Sequence, residues 1–519
     1  MTSLDRLVPA NHFYRHLEAK LDLGFIRALV RDCYAAGGRP SIDPVVFFKL
    51  QLIMFFEGIR SERKLIESAS LHLAQRWYLG YHLDEPLPDH SSLTRIRERL
   101  GLPVFRQFFE HMVAQCQDAG LVWGKELFFD ATKVRANAAM DSLVPRLGEV
   151  VDEHIVALFP GSTVAPATDA TDATSSTDGI LPAEGLQAVA ASVPASGAPA
   201  TCLEPPQKPQ DISDGLSAPR RWDLLDTCQR DPEQAPAEGY RRLSDQLVSR
   251  TDPDACSMSS GGKASLGYHD HYVVDGGKHR IILAALVTPA DVMENQPMLD
   301  LLWRVRFRWK VRPKRAVGDT TYGTIENIRT LEDAGIRAYV PLPNFDARTP
   351  YYGASRFHYD PEQDAYRCPQ GQPLQRWKTV HTEEEVRYRA AAATCNACAV
   401  KAACTASNHG RQITRSFYAD YLDRVRAYHE TAAYQKAMRK RSVWVEPLFG
   451  EAKQWHGLRQ FRLRGLARVN IEGIFVAAGQ NLKRWLTATG WGRRHGPCGA
   501  LAAPAPFPLA VLGFGFDGG

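Results

Sequence analysis

Two aspartates in this chain follow short apolar runs of the kind that form buried strands. Asp130 stands in the run Phe-Phe-Asp-Ala-Thr, and Asp319 stands in the run Val-Gly-Asp-Thr-Thr. A single aspartate in this context is ordinarily a cap or turn residue, but the repeated pattern predicts that one sheet edge receives both side chains. Carboxylates held together repel each other unless a cation neutralises them. Mg²⁺ prefers such oxygen ligands and leaves coordination positions open for phosphate.

A third carboxylate would complete a site for two divalent cations, one activating the attacking oxygen and the other stabilising the leaving oxygen. Glu446 and Glu451 are the candidates in the C-terminal region. On a helix, Glu446 and Lys453 project from one face, whereas Glu451 lies about 140° away. We therefore predict Glu446 as the third ligand and Lys453 as a phosphate contact. The alternative role for Glu446 is an exposed carboxylate at a helix start, favoured by the helix dipole.

Four of the ten cysteines cluster in a second group, at Cys368, Cys395, Cys398 and Cys404. The Cys-x2-Cys spacing is typical of zinc sites, and four thiolates suit a closed tetrahedral structural Zn²⁺. The alternative is a set of buried free thiols. The pair His269 and His271 alternates along a predicted strand, and we interpret both as packing residues rather than metal ligands.

Residues 1–122 are predicted to form a helical domain. An amphipathic helix is expected over 42–60, a second begins at the potential cap Ser61, and Asp89 begins a third helix that ends near 100. A fourth is expected over 103–119. Helices of this length joined by short turns fit a helix-turn-helix-like DNA-binding unit. They fit a dimerisation bundle equally well.

Residues 123–490 alternate between strand and helix patterns, which indicates an α/β domain with a mixed sheet. A strand is predicted over 126–130 and a hairpin around the turn 275–277. Two segments interrupt the domain: a low-complexity insertion at 161–235, whose core at about 161–220 is predicted to be disordered and dispensable, and the four-cysteine insert at 356–410. Residues 491–519 are predicted to be a disordered tail.

Positive charge is concentrated near the C-terminus. The whole chain carries a net charge of +5, but the window 436–484 holds 11 Lys and Arg against 3 Asp and Glu, a balance of +8. Such a surface favours a polyanion, although a solvated helix face is the alternative. The candidate DNA contacts in this window are Lys453, Arg439, Arg459, Arg462 and Arg464. No signal peptide or membrane-spanning segment is predicted, which argues against secreted and membrane classes.

The order and spacing of several motifs resemble those of bacterial insertion-sequence DDE transposases, in the branch with an N-terminal helical domain and a four-cysteine insert. The motifs are Gly-Arg-Pro at 38–40, Asp-His-Ser-Ser-Leu-Thr-Arg at 89–95, Phe-Asp-Ala-Thr-Lys-Val at 129–134, Thr-Asp-Pro-Asp-Ala at 251–255, Leu-Gly-Tyr at 266–268, Gly-Asp-Thr-Thr-Tyr-Gly at 318–323 and Val-Glu-Pro-Leu-Phe-Gly at 445–450. The resemblance covers about residues 1–490 apart from the low-complexity insertion.

This resemblance implies a ribonuclease-H-like catalytic domain in which Asp130, Asp319 and Glu446 hold two Mg²⁺ or Mn²⁺ ions. It also implies binding to terminal inverted repeats, cleavage, transfer of the 3′-hydroxyl ends to target DNA, a homodimer, and action in the cytoplasm at the nucleoid. The sequence departs from the related pattern Tyr-x2-Arg-x3-Glu-x6-Lys, because Arg439 and Ser442 occupy the Tyr and Arg positions while Lys453 fits. The departure puts the accessory DNA contacts in question more than the catalytic Glu446.

Two other functions remain open at this level. One is a metal-dependent nuclease that lacks strand transfer, and the other is a catalytically inactive relative that only binds DNA. The presence of all three carboxylates argues against the inactive relative.

Overall fold

A computed structural model of the chain describes residues 3–34, 41–145, 246–344 and 346–491. The predicted low-complexity insertion, the Gly-Arg-Pro motif at 38–40 and the predicted tail after Trp491 lie outside the described residues. The helices are α1 Leu4–Leu7, α2 Phe13–Lys20, α3 Phe25–Leu29, α4 Pro44–Phe56, α5 Glu62–Leu71, α6 Leu73–Leu79, α7 His90–Asp118, α8 Met298–Arg308, α9 Ile325–Asp333, α10 Ala392–Asn396, α11 Lys401–Cys404, α12 Ala419–His429, α13 Ala432–Trp444, α14 Glu446–Trp455 and α15 Leu466–Ala488. The strands are β1 Glu126–Arg135, β2 Leu143–Pro145, β3 Leu247–Ser249, β4 Cys256–Ser260, β5 Lys263–Asp275, β6 Ile282–Pro289, β7 Arg315–Val317, β8 Arg337–Tyr339, β9 His358–Asp360, β10 Ala365–Arg367, β11 Pro373–Val380, β12 Glu385–Ala390 and β13 Gln412–Ser416.

Two of the N-terminal helices begin where their caps predict, whereas the helix expected over 42–60 spans Pro44–Phe56. The Ser61 side chain accepts a hydrogen bond from the backbone N–H of Lys64, and Asp89 accepts one from Ser91. Such caps satisfy N–H groups that have no partner inside the helix. The two helices expected over 93–100 and 103–119 form one long element, α7, whose only non-helical backbone is at Gly101, with φ of 63°. Glycine tolerates that conformation, so the chain bends there without a separate loop.

The central sheet is mixed. Its strands run in the order β6-β5-β1-β7-β8, with β4 also pairing with β5. The pairs β6–β5 and β5–β1 are antiparallel, whereas β1–β7 and β7–β8 are parallel. The predicted hairpin is present as β5 and β6. The fold is therefore mixed α/β with helices at the N-terminus, as the sequence predicts.

One predicted strand boundary is wrong. The strand expected to end at Asp130 continues to Arg135, so Asp130 lies in the middle of β1. The reason is the long partner β5, which pairs with β1 from Leu127 to Arg135. Strand length was thus set by the partner, and the apolar run marks only the buried half of β1.

The sheet edge at β6 is covered by helix α15. The side-chain amide of Asn481 accepts a hydrogen bond from the Ile282 N–H and donates one to the Ile282 carbonyl. Asn470 makes the same pair of bonds with Val287. These buried amides satisfy backbone groups that an exposed edge strand would leave open for pairing with another chain.

The four-cysteine insert contains its own five-stranded antiparallel sheet, in the order β13-β12-β11-β10-β9, over a small core that includes Leu374 and Tyr388. This sheet extends past the predicted end of the insert at 410, because β13 pairs with β12. None of the described helices combines the length and apolar character needed to cross a membrane.

Candidate active site

The strand register brings Asp130 and Asp319 to the same level of the sheet. Strand β7 pairs in parallel with β1, and its last pair is Phe128 with Val317. Each aspartate therefore lies two residues beyond that last pair. Because β7 ends there, the chain turns into a short 3₁₀ helix over Thr320–Tyr322, and the Asp319 side chain caps it by accepting the Thr321 N–H at 2.8 Å. Side chains alternate between the two faces of a sheet, so a residue two positions after a paired residue points to the same face as that residue.

Arg441 on α13 joins the two aspartates. One guanidinium nitrogen, Nη2, lies 2.9 Å from Asp130 Oδ1 and 3.5 Å from Asp319 Oδ2. Asp130 Oδ1 also accepts the N–H of Ala131 at 3.0 Å. The predicted convergence of the two carboxylates is present, with a protein cation held between them. Arg441 carries no sequence signal of its own, since nothing local distinguishes it from the other basic residues of α13.

Burial controls the charge of Asp130. It raises the pKa of Asp130 to about 6, Asp319 adds to the increase, and Arg441 opposes it. Tyr322 is fully buried next to both aspartates, and burial followed by these nearby carboxylates raises the pKa of its hydroxyl well above the ordinary value. A carboxylate held in such an environment is a frequent feature of catalytic sites.

Glu446 lies in the first turn of α14, a helix that packs against the central sheet. The ring of Phe449, one turn further on, stacks on Tyr272 at a centroid distance of 4.5 Å. Tyr272 is the β5 residue directly opposite Asp130, and directly opposed residues point to the same face of a sheet. Glu446 is exposed and, within the described part of the chain, makes no hydrogen bond or ion pair with either aspartate. The helix packing is consistent with the prediction of Glu446.

Glu451, the other candidate, is occupied elsewhere. It forms ion pairs with Lys483 and with Arg484, the latter at 3.1 Å, and His456 Nε2 lies 3.6 Å away. Burial alone would raise the pKa of Glu451, but His456, Arg484 and Lys483 outweigh it and hold the pKa far below its ordinary value. Glu451 therefore joins α14 to α15 as a structural anion.

Lys453 is half-buried and faces the fully buried Asp270. Burial lowers the pKa of Lys453, and the nearby Asp270 opposes this effect. Burial also raises the pKa of Asp270 to about 8. Asp270 is two residues from Tyr272 along β5, and Tyr272 is paired opposite Asp130. Lys453, the predicted phosphate contact, therefore lies close to the sheet.

The four other predicted DNA contacts have two different environments. Arg439, Arg459 and Arg464 are exposed. Arg462 is instead partly buried at the junction with the N-terminal helices, where its Nη1 lies 3.0 Å from Glu62, which also pairs with the buried Arg97. The Arg462 guanidinium thus pairs with a buried carboxylate, which a sequence window of charges does not reveal, and its contact with DNA stays a prediction.

Arg439 borders a groove of about 800 Å³. Lys278, Lys436 and Arg439 line it as exposed cations, together with Trp123, which is 48% exposed. The groove lies along α13, the helix that also carries Arg441. A concave surface with free cations and an accessible aromatic ring is suited to a nucleic-acid backbone.

The four cysteines come together as predicted. Cys368, Cys395, Cys398 and Cys404 line a cavity of about 30 Å³. Burial, with smaller contributions from the other three thiols, raises the pKa of Cys404, while Arg411 opposes the increase. The thiols line this space without forming ligand geometry, and no group of three or more His, Cys, Asp or Glu within the described ranges is arranged to hold a metal ion. Four convergent thiols nevertheless fit the donor set of a structural Zn²⁺.

His269 and His271 are buried and bonded to protein groups. His269 Nδ1 lies 3.0 Å from the Val292 carbonyl, and His271 Nε2 lies 2.9 Å from Thr288 Oγ1. These contacts agree with the predicted packing role. Glu294, 3.8 Å from His269 Nε2, was missed by the sequence analysis. Burial and then Asp319 raise its pKa, so its carboxylate lies within electrostatic range of the site. It follows β6 in a loop, where no strand-end pattern marks it.

The donors at the paired aspartates suit a hard divalent cation. Both are carboxylates, which such cations prefer, and the position between them already holds a positive charge from Arg441. The site therefore attracts cations by its own charge, and Asp130 and Asp319 are the residues that would hold one.

Comparison with known families gives two matches. Residues 2–99 match the family described as Transposase domain (DUF772), and residues 367–486 match the family described as Transposase DDE domain. The second match includes Cys368, Glu446 and Lys453 but neither aspartate. No curated protein and no solved structure matches the chain. A DDE domain implies a ribonuclease-H-like fold, with which the mixed sheet is compatible. Both matches are to transposase families, and together they support an insertion-sequence DDE transposase.

Proposed function

We propose that this transposase binds the terminal inverted repeats of its element, hydrolyses a phosphodiester bond at each end, and joins the freed 3′-hydroxyls to target DNA. The observation that carries the proposal is the convergence of Asp130 and Asp319 on one cation position, 2.9 and 3.5 Å from Arg441 Nη2. A homodimer that holds two ends, acting on DNA in the cytoplasm at the nucleoid, is part of the same proposal.

Asp130, Asp319 and Glu446 are the residues proposed to hold two Mg²⁺ or Mn²⁺ ions. When bound, such ions activate the attacking oxygen and stabilise the leaving oxygen. The packing of Phe449 on Tyr272 supports Glu446, because it orients the first turn of α14 towards the strand that carries Asp130. The ion pairs of Glu451 support it further, since they leave Glu451 no free oxygen for a metal.

The DNA path is proposed to follow α13 and α14. Lys453 and Arg439 would contact phosphates on either side of the carboxylates, with Arg459 and Arg464 extending the basic surface. The groove beside Arg439 supports this path, because Lys278 and Lys436 also line it as exposed cations. Phosphate contacts of this kind position DNA without reading its sequence.

The four-cysteine insert is proposed to bind one structural Zn²⁺ through Cys368, Cys395, Cys398 and Cys404. The shared cavity of these thiols supports the assignment. A structural ion there would tie the hairpin turn at Cys368 to the short helices α10 and α11, and it would stabilise a small core of few residues.

The test uses a supercoiled donor plasmid that carries the ends of the element, with a separate target plasmid. We expect donor cleavage and joined products with Mg²⁺, and neither product with EDTA. Cleavage without joining, when precleaved 3′-ends are also supplied, would indicate the nuclease alternative. Specific binding of the ends without cleavage in Mg²⁺ or Mn²⁺ would indicate a DNA-binding protein only.

A further inference from the structure

Arg441 occupies an unusual position for an arginine near predicted metal ligands. Its Nη2 atom lies between the two carboxylates, 2.9 Å from Asp130 and 3.5 Å from Asp319. A divalent cation bound by both aspartates needs metal–oxygen distances of about 2.1 Å. The guanidinium and a cation bound to these same two oxygens, Asp130 Oδ1 and Asp319 Oδ2, would therefore occupy overlapping space.

The partners of Arg441 are few. In the part of the chain that the structure describes, its hydrogen bonds and ion pairs go to the two aspartates, and its buried Nε atom has no hydrogen-bond partner. The guanidinium is therefore held in place by the carboxylates rather than by a rigid network of its own. The side chain is 16% exposed, so it borders solvent.

The charges favour exchange when a metal ion arrives. Two carboxylates and one guanidinium leave a net charge of −1 on these three groups. Arginine keeps its proton throughout the working pH range, so it stays charged beside an incoming ion. A divalent cation placed next to the guanidinium would meet a like charge in a largely buried site, where screening by water is weak.

We propose that Arg441 is an internal counter-ion that holds Asp130 and Asp319 together in the metal-free protein and must swing out before a divalent cation binds both. The proposal rests on the proposed metal site. The metal then binds only the form with Arg441 displaced, so the apparent affinity falls with the population of that form. The DNA-free transposase would bind the catalytic metal weakly and would remain a poor nuclease until the Arg441 side chain leaves the two aspartates.

The experiment measures metal binding by the full-length protein without DNA. Wild type, Arg441→Gln and Arg441→Lys are titrated with Mn²⁺ by calorimetry, and their melting temperatures are recorded in EDTA. Arg315→Gln is the matched control, because Arg315 lies 3.6 Å from the buried carboxylate of Glu126 on the same strand β1 as Asp130. We expect Arg441→Gln to bind Mn²⁺ about tenfold more tightly than wild type. We expect Arg441→Lys to lie between the two and Arg315→Gln to match wild type.

Loss of the counter-ion should also lower the melting temperature of Arg441→Gln in EDTA, and Mn²⁺ should restore it. If that variant does not fold, the Arg441→Lys titration and its melting shift decide the same question. Equal or weaker Mn²⁺ binding by the Arg441 variants would overturn the proposal while leaving the metal site intact. If neither wild type nor any Arg441 variant binds Mn²⁺, the proposed metal site fails as well.

Discussion

Two charge clusters lie on consecutive helices and differ in their balance. On α14, the single carboxylate of Glu451 is surrounded by Lys483, Arg484 and His456. On α13, the single guanidinium of Arg441 serves two carboxylates, Asp130 and Asp319. The first cluster has a surplus of cations, and the second has a deficit.

The difference separates a structural from a reactive arrangement. Three basic side chains surround the Glu451 carboxylate and fully compensate its negative charge. Its pKa is therefore low, and a further cation would not stabilise it. Asp130 keeps a raised pKa of about 6 even with Arg441 beside it, so its charge is incompletely compensated. A carboxylate whose charge is incompletely compensated is suited to bind a cation.

The largest expected effect comes from removing one carboxylate of the cluster around Arg441, in which carboxylates outnumber cations. Asp319→Asn or Asp130→Asn should reduce plasmid cleavage by about a thousandfold or more, because a neutral amide cannot neutralise a divalent cation. Binding of a duplex with the element's end should change little, since phosphate contacts lie elsewhere. Cleavage at the wild-type rate by Asp319→Asn would remove the basis of the site.

The same substitution in the two glutamates should have opposite results. Glu446→Gln should abolish cleavage with little change in the free energy of unfolding. Glu451→Gln should retain cleavage per folded molecule but lose about 3 kcal/mol of stability, because Arg484 remains buried without its anion. Urea unfolding and cleavage assays on both proteins make the comparison, with Glu294→Gln as the control near Asp319. If Glu294→Gln alone lost cleavage, the third carboxylate would be reassigned to it.

The raised pKa of Asp130 predicts a pH dependence of stability in EDTA. Its carboxyl binds a proton more tightly in the folded state, with a pKa of about 6, than at the ordinary value of 3.8. Its penalty on stability is therefore absent below about pH 4 and complete above about pH 6, at about 2–3 kcal/mol. The unfolding free energy of wild type should rise relative to that of Asp130→Asn as the pH falls from 7 to 4.5. A constant difference across that range would contradict the assignment.

Zinc in the cysteine insert should affect stability rather than chemistry. Purified protein should contain about one zinc ion per chain, and Cys398→Ser should lose it and melt at a lower temperature. Cys33→Ser is the control, because Cys33 lies in the N-terminal helices away from the cavity. Elemental analysis without zinc, together with four freely titratable thiols in the insert, would refute this site.

The smallest effects are expected from the exposed arginines. Arg439→Ala should weaken DNA binding modestly and reduce the slope of log affinity against log salt by about 1. Arg462→Ala should instead lower stability, because it leaves Glu62 with one cation fewer. Fluorescence anisotropy over a salt series separates the two. Equal salt slopes for wild type and Arg439→Ala would exclude that phosphate contact.

Local patterns in the sequence were sufficient for several elements and for some of the residues that begin them. The caps Ser61 and Asp89, the β5–β6 hairpin and the two aspartates all follow from short windows. The clustering of the four cysteines also followed from their spacing. Caps, turns and alternating burial depend on neighbours within a few residues, so a single sequence contains them.

Only the tertiary structure decided which charges meet. The tertiary structure places Asp130 in the middle of β1 and brings Glu294 within electrostatic range of Asp319. It also determines three ion pairs, which join Arg441 to the aspartates, Arg484 to Glu451 and Arg462 to Glu62. Each of these depends on strand register or helix packing between residues far apart in the chain. The sequence does not show whether the partner of a charged side chain is water, a buried carboxylate or DNA. The partner is determined by tertiary packing and not by neighbouring residues in the chain.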